Sequence, residues 1–225
     1  DISDAELCIS LTKGVDFVLH QAALGSVPRS IKNPLASAES NITGFLNILY
    51  ASKESKIKQL VYASSSSVYG SNNELPKKEE RTGSPLSPYA LTKSVNEQSA
   101  DVFSKTYNIN TIGLRYFNVF GKRQNIHGPY AAVIPKWITC LLENREVDIY
   151  GDGLTGRDFC YVKNAVQANI LAAECDNEKA FGQVFNIGSG VRYNIREISE
   201  MIGGSIMLIP WRPGEARDSL ADNSK

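Results

Sequence analysis

The stretch "QLVYASSSSVYG", residues 59–70, joins a short apolar run to four successive serines. Its first six residues, 59–64, have the length and the apolar composition of a buried strand. Similar runs recur along the chain with helical patterns between them: "DFVLH" at 16–20, "NTIGLRYF" at 110–117 and "QVFNIG" at 183–188. Continuous apolar strands that alternate with helices predict an α/β fold, a doubly wound parallel sheet covered on both faces.

Two long helices are predicted around the strand at 59–64. Residues 34–54 form an amphipathic pattern, with apolar residues at spacings of three and four: Leu35, Ala38, Ile42, Leu46 and Leu49. A second helix begins at Pro88, with Ser87 as its N-cap, and runs to about Tyr107.

The pattern changes after about residue 125, where the predicted elements become shorter. They are a helix near 131–143, a strand at 147–150, a helix near 163–174 and a helix at Asn194–Ile202. We therefore expect a domain at 1–125 and a smaller α/β lobe at 126–225, with the two parts interleaved.

Composition excludes several classes of function. The chain has 225 residues, 24 Lys and Arg and 24 Asp and Glu, so its net charge is zero and no basic stripe predicts nucleic-acid binding. Its four cysteines are too far apart for a metal or redox motif, and we expect reduced thiols, no metal and a cytoplasmic protein. No segment approaches the roughly 20 apolar residues of a membrane span.

A glycine motif for a dinucleotide is missing from the start of the chain, which begins "DISDAELCIS". The match to G-x-G-x-x-G lies at 151–156, after a short strand. Residues 157–162 indicate a second strand there, whereas a pyrophosphate site needs a helix N-terminus. We therefore do not interpret 151–156 as a dinucleotide motif.

Tyr89 and Lys93 are four residues apart in the helix that begins at Pro88, so they share one face. An ammonium group beside a phenol favours the phenolate, which predicts a lowered tyrosine pKa and a general base. The pair alone is also typical of a solvated helix face. The serines after 59–64 strengthen the catalytic interpretation, because ligands bind at the carboxyl ends of parallel strands.

Seven ordered motifs now identify a resemblance: "VLHQAALGSVPRSIKNP" (18–34), "NITG" (41–44), "YASSSSVYG" (62–70), "SPYALTK" (87–93), "LRYFNVFG" (114–121), "GRDFCYV" (156–162) and "RPGEARDSLADNSK" (212–225). The chain resembles the extended short-chain dehydrogenase/reductase family, most closely its nucleotide-sugar 4-epimerases. The segments "HQAALGSVPRSI" and "AAVIPKW" are similar to the subgroup that epimerises UDP-N-acetylhexosamines for surface polysaccharides.

The resemblance implies a Rossmann-like NAD-binding domain in 1–125 and a lobe in 126–225 that binds the UDP-sugar. In this family the glycine motif lies upstream of "VLHQAA", so we expect the 225 residues to be part of a longer protein. The choice between NAD and NADP stays open, because the acidic residue that reads the ribose belongs to that upstream segment.

The family's catalytic roles carry over to three residues. Tyr89 would take the proton of the sugar 4-hydroxyl while hydride leaves C4 for NAD. Lys93 would hold the nicotinamide ribose and lower the tyrosine pKa, and Ser65 would be the hydroxyl partner. The 4-keto sugar would then turn and accept the hydride on its other face. No carboxylate occurs between Tyr62 and Gly70, which argues against a 4,6-dehydratase.

The resemblance also implies two sets of binding residues. Those expected at the cofactor are Gln21, Ala22, Ala23, Ala63, Ser64, Tyr89, Lys93, Tyr116 and Phe117. Those expected at the UDP-sugar are Gly25, Ser26, Ser65, Ser66, Asn118, Ala132, Val133, Tyr150, Arg157, Arg212, Glu215 and Ser219. The two arginines would bind phosphate or ribose, since a guanidinium makes paired hydrogen bonds to phosphate.

The resemblance implies that Ser219 determines which sugar is accepted. Hexose-only epimerases have a bulky aromatic residue at the corresponding position, whereas serine leaves room for an N-acetyl group. We therefore predict interconversion of UDP-GlcNAc and UDP-GalNAc. Alternatives are UDP-glucose or uronate 4-epimerase, an NAD(P)-dependent nucleotide-sugar reductase, and a non-catalytic binding protein. Helices 34–54 and 89–107 are expected to form a four-helix homodimer interface.

Overall fold

The fold is built on a four-stranded parallel sheet. The computed structural model describes residues 1–126, 133–210 and 218–225. The strands are β1 Phe17–His20, β2 Gln59–Ser65, β3 Thr111–Tyr116, β4 Val147–Tyr150, β5 Gly156–Asp158, β6 Gln183–Ile187, β7 Arg192–Asn194 and β8 Ile206–Ile209. The helices are α1 Ala5–Thr12, α2 Val27–Lys32, α3 Pro34–Ala38, α4 Gly44–Glu54, α5 Pro88–Tyr107, α6 Val133–Leu142, α7 Val162–Ala173 and α8 Ile195–Ile202. The central sheet has the order β1-β2-β3-β6.

Alternate residues of β2 face two different helical layers. Leu60 and Tyr62 belong to the apolar cluster that includes Phe45 of α4 and Ala100 of α5. Val61 belongs to the opposite cluster, which includes Ala172 of α7. Burial of the whole strand between two layers explains why its sequence is continuously apolar. The predicted α/β class with a parallel sheet covered on both faces is confirmed.

The predicted helix at 34–54 contains a π-helical turn, Glu39–Thr43, between α3 and α4. The buried residues include Ser37, Asn41, Phe45 and Leu49, at spacings of four, whereas Leu35 is 81% exposed and Leu46 is 37% exposed. The predicted apolar face was therefore wrong in part. The wider turn changes the phase of the helix, and a count at 3.6 residues per turn does not detect it.

Helix α5 has the predicted bounds and the predicted cap. The Ser87 side chain accepts a hydrogen bond from the backbone N–H of Ala90, and Pro88 occupies the first turn. Proline costs nothing there, because the first N–H groups of a helix have no intrahelical partner. The order of these residues therefore fixes where the helix carrying Tyr89 and Lys93 begins.

Two small sheets lie beside the central one: β4 pairs with β8 in parallel, and β5 pairs with β7 antiparallel. Residues 151–155 connect β4 to β5 without a helix, which confirms that they are not a dinucleotide motif. The strand predicted at 157–162 is shorter, since α7 begins at Val162. Helix α2 and the strands β7 and β8 were not predicted.

The second half of the chain completes the central sheet, because β6 pairs with β3 and α7 packs on the β2, β3 and β6 side. A separate cluster around Trp137 includes Val147, Ile149 and Ile198. The division at residue 125 remains a prediction. Within the described ranges, no helix has both the length and the apolarity required to cross a membrane.

Candidate functional site

The carboxyl ends of β1, β2 and β3 meet at one edge of the sheet, next to two cavities. The larger has a volume of about 610 Å³ and the smaller about 280 Å³. They share a wall formed by Gly25, Ser65, Tyr89, Tyr116, Asn118 and Val119. Parallel strands bring these residues together because all their carboxyl ends lie at the same edge.

Ser65 is the last residue of β2, and a hydrogen bond to the next turn of the chain fixes the position of its hydroxyl. Its hydroxyl accepts a hydrogen bond from the backbone N–H of Ser67 at 3.1 Å and so caps the short 3₁₀ helix Ser66–Tyr69. Gly70 ends this helix with φ of 49°, and a Cβ there would lie 1.9 Å from the carbonyl oxygen of Ser84. The turn that presents Ser65 therefore requires glycine at its end.

Tyr89 lies on the first turn of α5, and its backbone N–H donates to the Ser30 hydroxyl at 3.0 Å. Tyr89 and Ser65 both line the wall that the two cavities share. Burial raises the pKa of Tyr89 above its ordinary value, and the Ser65 hydroxyl offsets part of that rise. The predicted lowering of this pKa by Lys93 was wrong for this geometry.

The reason lies in where the Lys93 ammonium group points. Its Nζ donates to the backbone carbonyl of Ala63 at 2.8 Å, and the side chain is buried. Burial lowers the pKa of Lys93 to about 8, although the Glu97 carboxylate acts in the opposite direction. Burial and the nearby Lys93 lower the pKa of His20 to about 4. The Lys93 side chain thus lines the smaller cavity, but its ammonium group points at the backbone of β2 and not at the Tyr89 hydroxyl.

The smaller cavity gathers most of the predicted cofactor residues: Gln21, Ala23, Ala63, Ser64, Tyr89, Lys93 and Tyr116. Small side chains leave the backbone accessible, which suits a dinucleotide. Two predicted residues lie elsewhere. Ala22 is exposed and lines neither cavity, and Phe117 is fully buried against Tyr69 and Ala221 and borders the larger cavity.

Tyr116 is fixed by a closed ring of three side chains. Its hydroxyl donates to Gln21 Oε1 at 3.1 Å and accepts from Asn169 Nδ2 at 2.6 Å. Gln21 Nε2 then donates to Asn169 Oδ1 at 2.9 Å. Asn169, on α7, was missed by the sequence analysis, because no local pattern links it to residues at the ends of β1 and β3.

The larger cavity gathers the predicted sugar residues that the structure describes: Gly25, Ser26, Ser65, Ser66, Asn118, Val133, Tyr150, Arg157 and Ser219. Ala132, Arg212 and Glu215 lie outside the described residues. Lys77 also borders this cavity and was missed. It is buried, its ammonium donates to the Asn72 carbonyl, and burial lowers its pKa.

Asp158, at the end of β5, forms hydrogen bonds with segments near the larger cavity that are distant from one another in sequence. Its carboxylate is 0% exposed and accepts from Ser189 N at 2.6 Å, Ser189 Oγ at 2.8 Å, Gly190 N at 3.0 Å and Ala221 N at 3.1 Å. Its backbone carbonyl accepts from Asn118 Nδ2 at 2.8 Å. Asn118 also donates to the Ser219 hydroxyl at 3.2 Å. Asp158 therefore fixes both predicted sugar contacts.

Known proteins can now be compared with this geometry. Residues 1–188 match the model of the NAD dependent epimerase/dehydratase family. The chain belongs to this family. The family description names NAD as its cofactor, in agreement with the sequence prediction.

Relatives within the family differ in their named substrates. The chain is 32% identical to the UDP-glucose 4-epimerase of Mycolicibacterium smegmatis, with 100% of this chain and 73% of the relative covered. It is 40% identical, with a TM-score of 0.93, to the UDP-N-acetylglucosamine 4-epimerase of Methanobrevibacter ruminantium M1 in complex with UDP-N-acetylmuramic acid, covering 100% of this chain and 73% of that one. For the UDP-glucuronic acid 4-epimerase of Bacillus cereus with UDP-glucuronic acid and NAD, the identity is 30%, the TM-score 0.91 and the coverage 100% and 71%.

The chain is shorter than the proteins it matches. It spans about 65% of the length of two curated relatives from Methanocaldococcus jannaschii. The comparisons therefore identify the family and its fold over the matched residues.

We predict that Asp158→Asn destabilises the protein by about 2–3 kcal/mol, because an amide loses the charge and turns a donor towards groups that already donate. Thermal unfolding measures this change. Asp176→Asn, at an exposed position, is the control and should stay within about 0.5 kcal/mol of the natural protein. Equal melting temperatures for the two variants would contradict the role of Asp158.

Proposed function

We propose that this protein is an NAD-dependent 4-epimerase that interconverts UDP-GlcNAc and UDP-GalNAc. The observation that carries the proposal is that Ser65 and Tyr89 lie together on the wall shared by the two cavities. A hydroxyl pair in that position can reach a sugar in the larger cavity and a dinucleotide in the smaller one.

The protein's own groups account for the proton transfer. Tyr89 takes the proton from the sugar 4-hydroxyl and later returns a proton to the same oxygen, while Ser65 holds that oxygen in line. NAD, when bound, supplies the acceptor and donor of hydride at C4. Because hydride is taken from the sugar and returned to it, the reaction has no net oxidation. External NADH is therefore neither made nor consumed.

The smaller cavity fits the nicotinamide end of a dinucleotide. Ala23, Ala63 and Ser64 present small side chains there, so a planar ring can approach the backbone. Lys93 contributes an ammonium group one helical turn beyond Tyr89, within the same wall. The ribose hydroxyls of a dinucleotide are suitable acceptors for that donor.

The larger cavity supports a substrate with an N-acetyl group. Its volume of about 610 Å³ lies within the range of roughly 300–1,000 Å³ for small-molecule sites. Ser219 contributes a small side chain to its wall beside Asn118. Arg157 lies on the same wall and offers the donor geometry that suits phosphate.

We predict that Tyr89→Phe lowers the rate of epimerisation by about 10²–10⁴-fold, because it removes the group that transfers the proton. The natural full-length protein is incubated with UDP-GlcNAc and catalytic NAD, and the anomeric proton signals are followed by NMR. The natural protein should produce UDP-GalNAc without net NADH. Tyr107→Phe, near the other end of α5 and half-exposed, is the control and should keep its rate.

Two results would overturn the proposal. Stoichiometric consumption of added cofactor would identify a reductase, and retention of full activity in Tyr89→Phe would exclude Tyr89 as the proton-transfer group. Turnover of UDP-glucose or UDP-glucuronate in place of UDP-GlcNAc would keep the reaction and change the substrate.

We predict that Ser219→Tyr reduces turnover of UDP-GlcNAc at least about tenfold relative to UDP-glucose, since a bulky ring fills the space for the acetyl group. The ratio of kcat/KM values for the two sugars measures the effect. Ser224→Tyr introduces the same side chain at an exposed position and should leave the ratio unchanged. An unchanged ratio in Ser219→Tyr would show that this position does not select the N-acetyl group.

We also propose that the protein forms a homodimer through α4 and α5. Leu46 and Tyr50 of α4 are 37% and 46% exposed, and Leu91 and Val102 of α5 are 52% and 55% exposed. Each pair lies on one side of its helix, and the two helices pack against each other. We propose that the four exposed side chains form one apolar surface. A second copy of the same surface would cover it.

Light scattering tests this interface. The double variant Leu91→Glu with Val102→Glu should have half the mass of the natural dimer in solution, because it places charges in the interface. Leu142→Glu is the control, at a leucine that is 79% exposed at the end of α6, and should remain a dimer. A monomeric natural protein at micromolar concentration would contradict the proposal.

A further inference from the structure

Two consecutive residues at the end of β2, Ala63 and Ser64, are hydrogen-bonded to side chains of α5. The spacing of four places Tyr89, Lys93 and Glu97 on one face of the helix. Lys93 Nζ donates to the carbonyl of Ala63, and the hydroxyl of Ser64 donates to Glu97 Oε1. Tyr89 lies with Ser65 on the wall shared by the two cavities. The end of β2 is thus bound to α5 at two consecutive residues, directly before Ser65.

Glu97 is itself fixed by Arg115 of β3. Arg115 Nε donates to Glu97 Oε1 at 2.9 Å, and Arg115 Nη2 donates to Glu97 Oε2 at 2.7 Å. Two parallel bonds from a planar guanidinium set the orientation of the carboxylate as well as its position. Glu97 can therefore hold Ser64 at a defined place, which a single rotatable contact would not do.

Arg115 has no freedom to move away from this arrangement. It is 3% exposed, and its backbone is paired in register with Ser64. Its third nitrogen, Nη1, donates to the carbonyl of Glu79 at 2.8 Å, and its guanidinium lies 4.9 Å from the centre of the Tyr69 ring. Tyr69 belongs to the 3₁₀ helix that Ser65 caps. Arg115 thus acts on the chain before Ser65, through Glu97 and Ser64, and on the chain after it, through Tyr69.

We propose that Glu97 is a positioning residue of the Ser65–Tyr89–Lys93 site, acting through Ser64 and anchored by Arg115. This inference rests on the proposed function. Glu97 fixes the end of β2 against α5, so that the hydroxyls of Ser65 and Tyr89 stay next to each other on the wall shared by the two cavities. A simpler role, in which the ion pair only attaches α5 to the sheet, would affect stability without affecting the chemical step.

Ser64→Ala separates these two roles, because it removes the link to Glu97 and leaves the Glu97–Arg115 pair intact. We expect kcat to fall by about 10–100-fold, since small displacements of reacting groups cost that much. The KM for UDP-GlcNAc and the Kd for NAD should stay within about twofold. Ser64→Thr, which keeps a hydroxyl, should recover most of the rate.

Glu97→Gln gives the second arm of the experiment. If Ser64 and Glu97 act as one unit, the double variant loses no more kcat than the worse single variant, because coupled residues are not additive. Asp101→Asn lies one turn further along α5, where Asp101 pairs with Lys105 at the surface, and is the matched control. Its kcat should match that of the natural protein.

Three outcomes would overturn the inference: a melting temperature that falls in Ser64→Ala with kcat unchanged, a Kd for NAD that rises in proportion to the loss of kcat, and additive losses in the double variant. The natural protein's rate tests the proposed function separately. Hydrogen exchange of the amides of residues 63–69 needs no turnover. It should accelerate in Ser64→Ala and not in Asp101→Asn, whatever substrate the protein uses.

Discussion

The parallel direction of the four central strands is the constraint on which the rest of the structure depends. It places the ends of β1, β2, β3 and β6 at one edge, and with them the segments after β1, β2 and β3 that border the two cavities. Loops at such an edge lack the backbone hydrogen bonds that pair strands in a sheet, so hydrogen bonds from side chains must fix their conformation. Asn41 is an example, because it accepts from Leu24 N at 2.7 Å and donates to Thr92 at 3.1 Å, joining the loop after β1 to α5.

Two carboxylates, the largely buried Glu97 and the fully buried Asp158, stabilise different parts of this edge in different ways. Glu97 is compensated by the guanidinium of Arg115, and Asp158 is compensated by three backbone N–H groups and one hydroxyl. A buried carboxylate is tolerated when such partners replace its water. Asn186 lies between the two networks, since Tyr69 donates to its Oδ1 at 2.6 Å and its Nδ2 donates to Lys77 O at 2.8 Å. Asn186 Nδ2 also donates to the carbonyl of Asp222, next to Ala221, so hydrogen bonds join the segment around Tyr69 to the segment that contacts Asp158.

Local rules of sequence accounted for much of the fold and for the centre of the site. Strand composition located β2, and Ser87 with Pro88 located the start of α5. The π-helical turn at Glu39–Thr43 was not predictable, because it depends on how Asn41 reaches Leu24 and Thr92. Glu97 has a visible signal, its spacing of four from Lys93, but its role depends on a partner in β3. Asn169 and Asp158 gave no local signal, since each acts on residues far away in sequence.

The pKa of Tyr89 shows most clearly what sequence spacing leaves undetermined. A spacing of four gives two side chains one face, but the β2 carbonyl of Ala63 decides where the Lys93 ammonium points. Burial then raises the pKa of Tyr89, which favours the phenol and hence, in the proposed reaction, the return of a proton to the sugar. Removal of the proton requires the phenolate. Ser65 serves both stages, because a hydroxyl can accept from a phenol and donate to a phenolate without any change in packing. In the proposed reaction, reversible proton transfer therefore depends on keeping Ser65 in place, directly after the two residues of β2 that are hydrogen-bonded to Lys93 and Glu97 of α5.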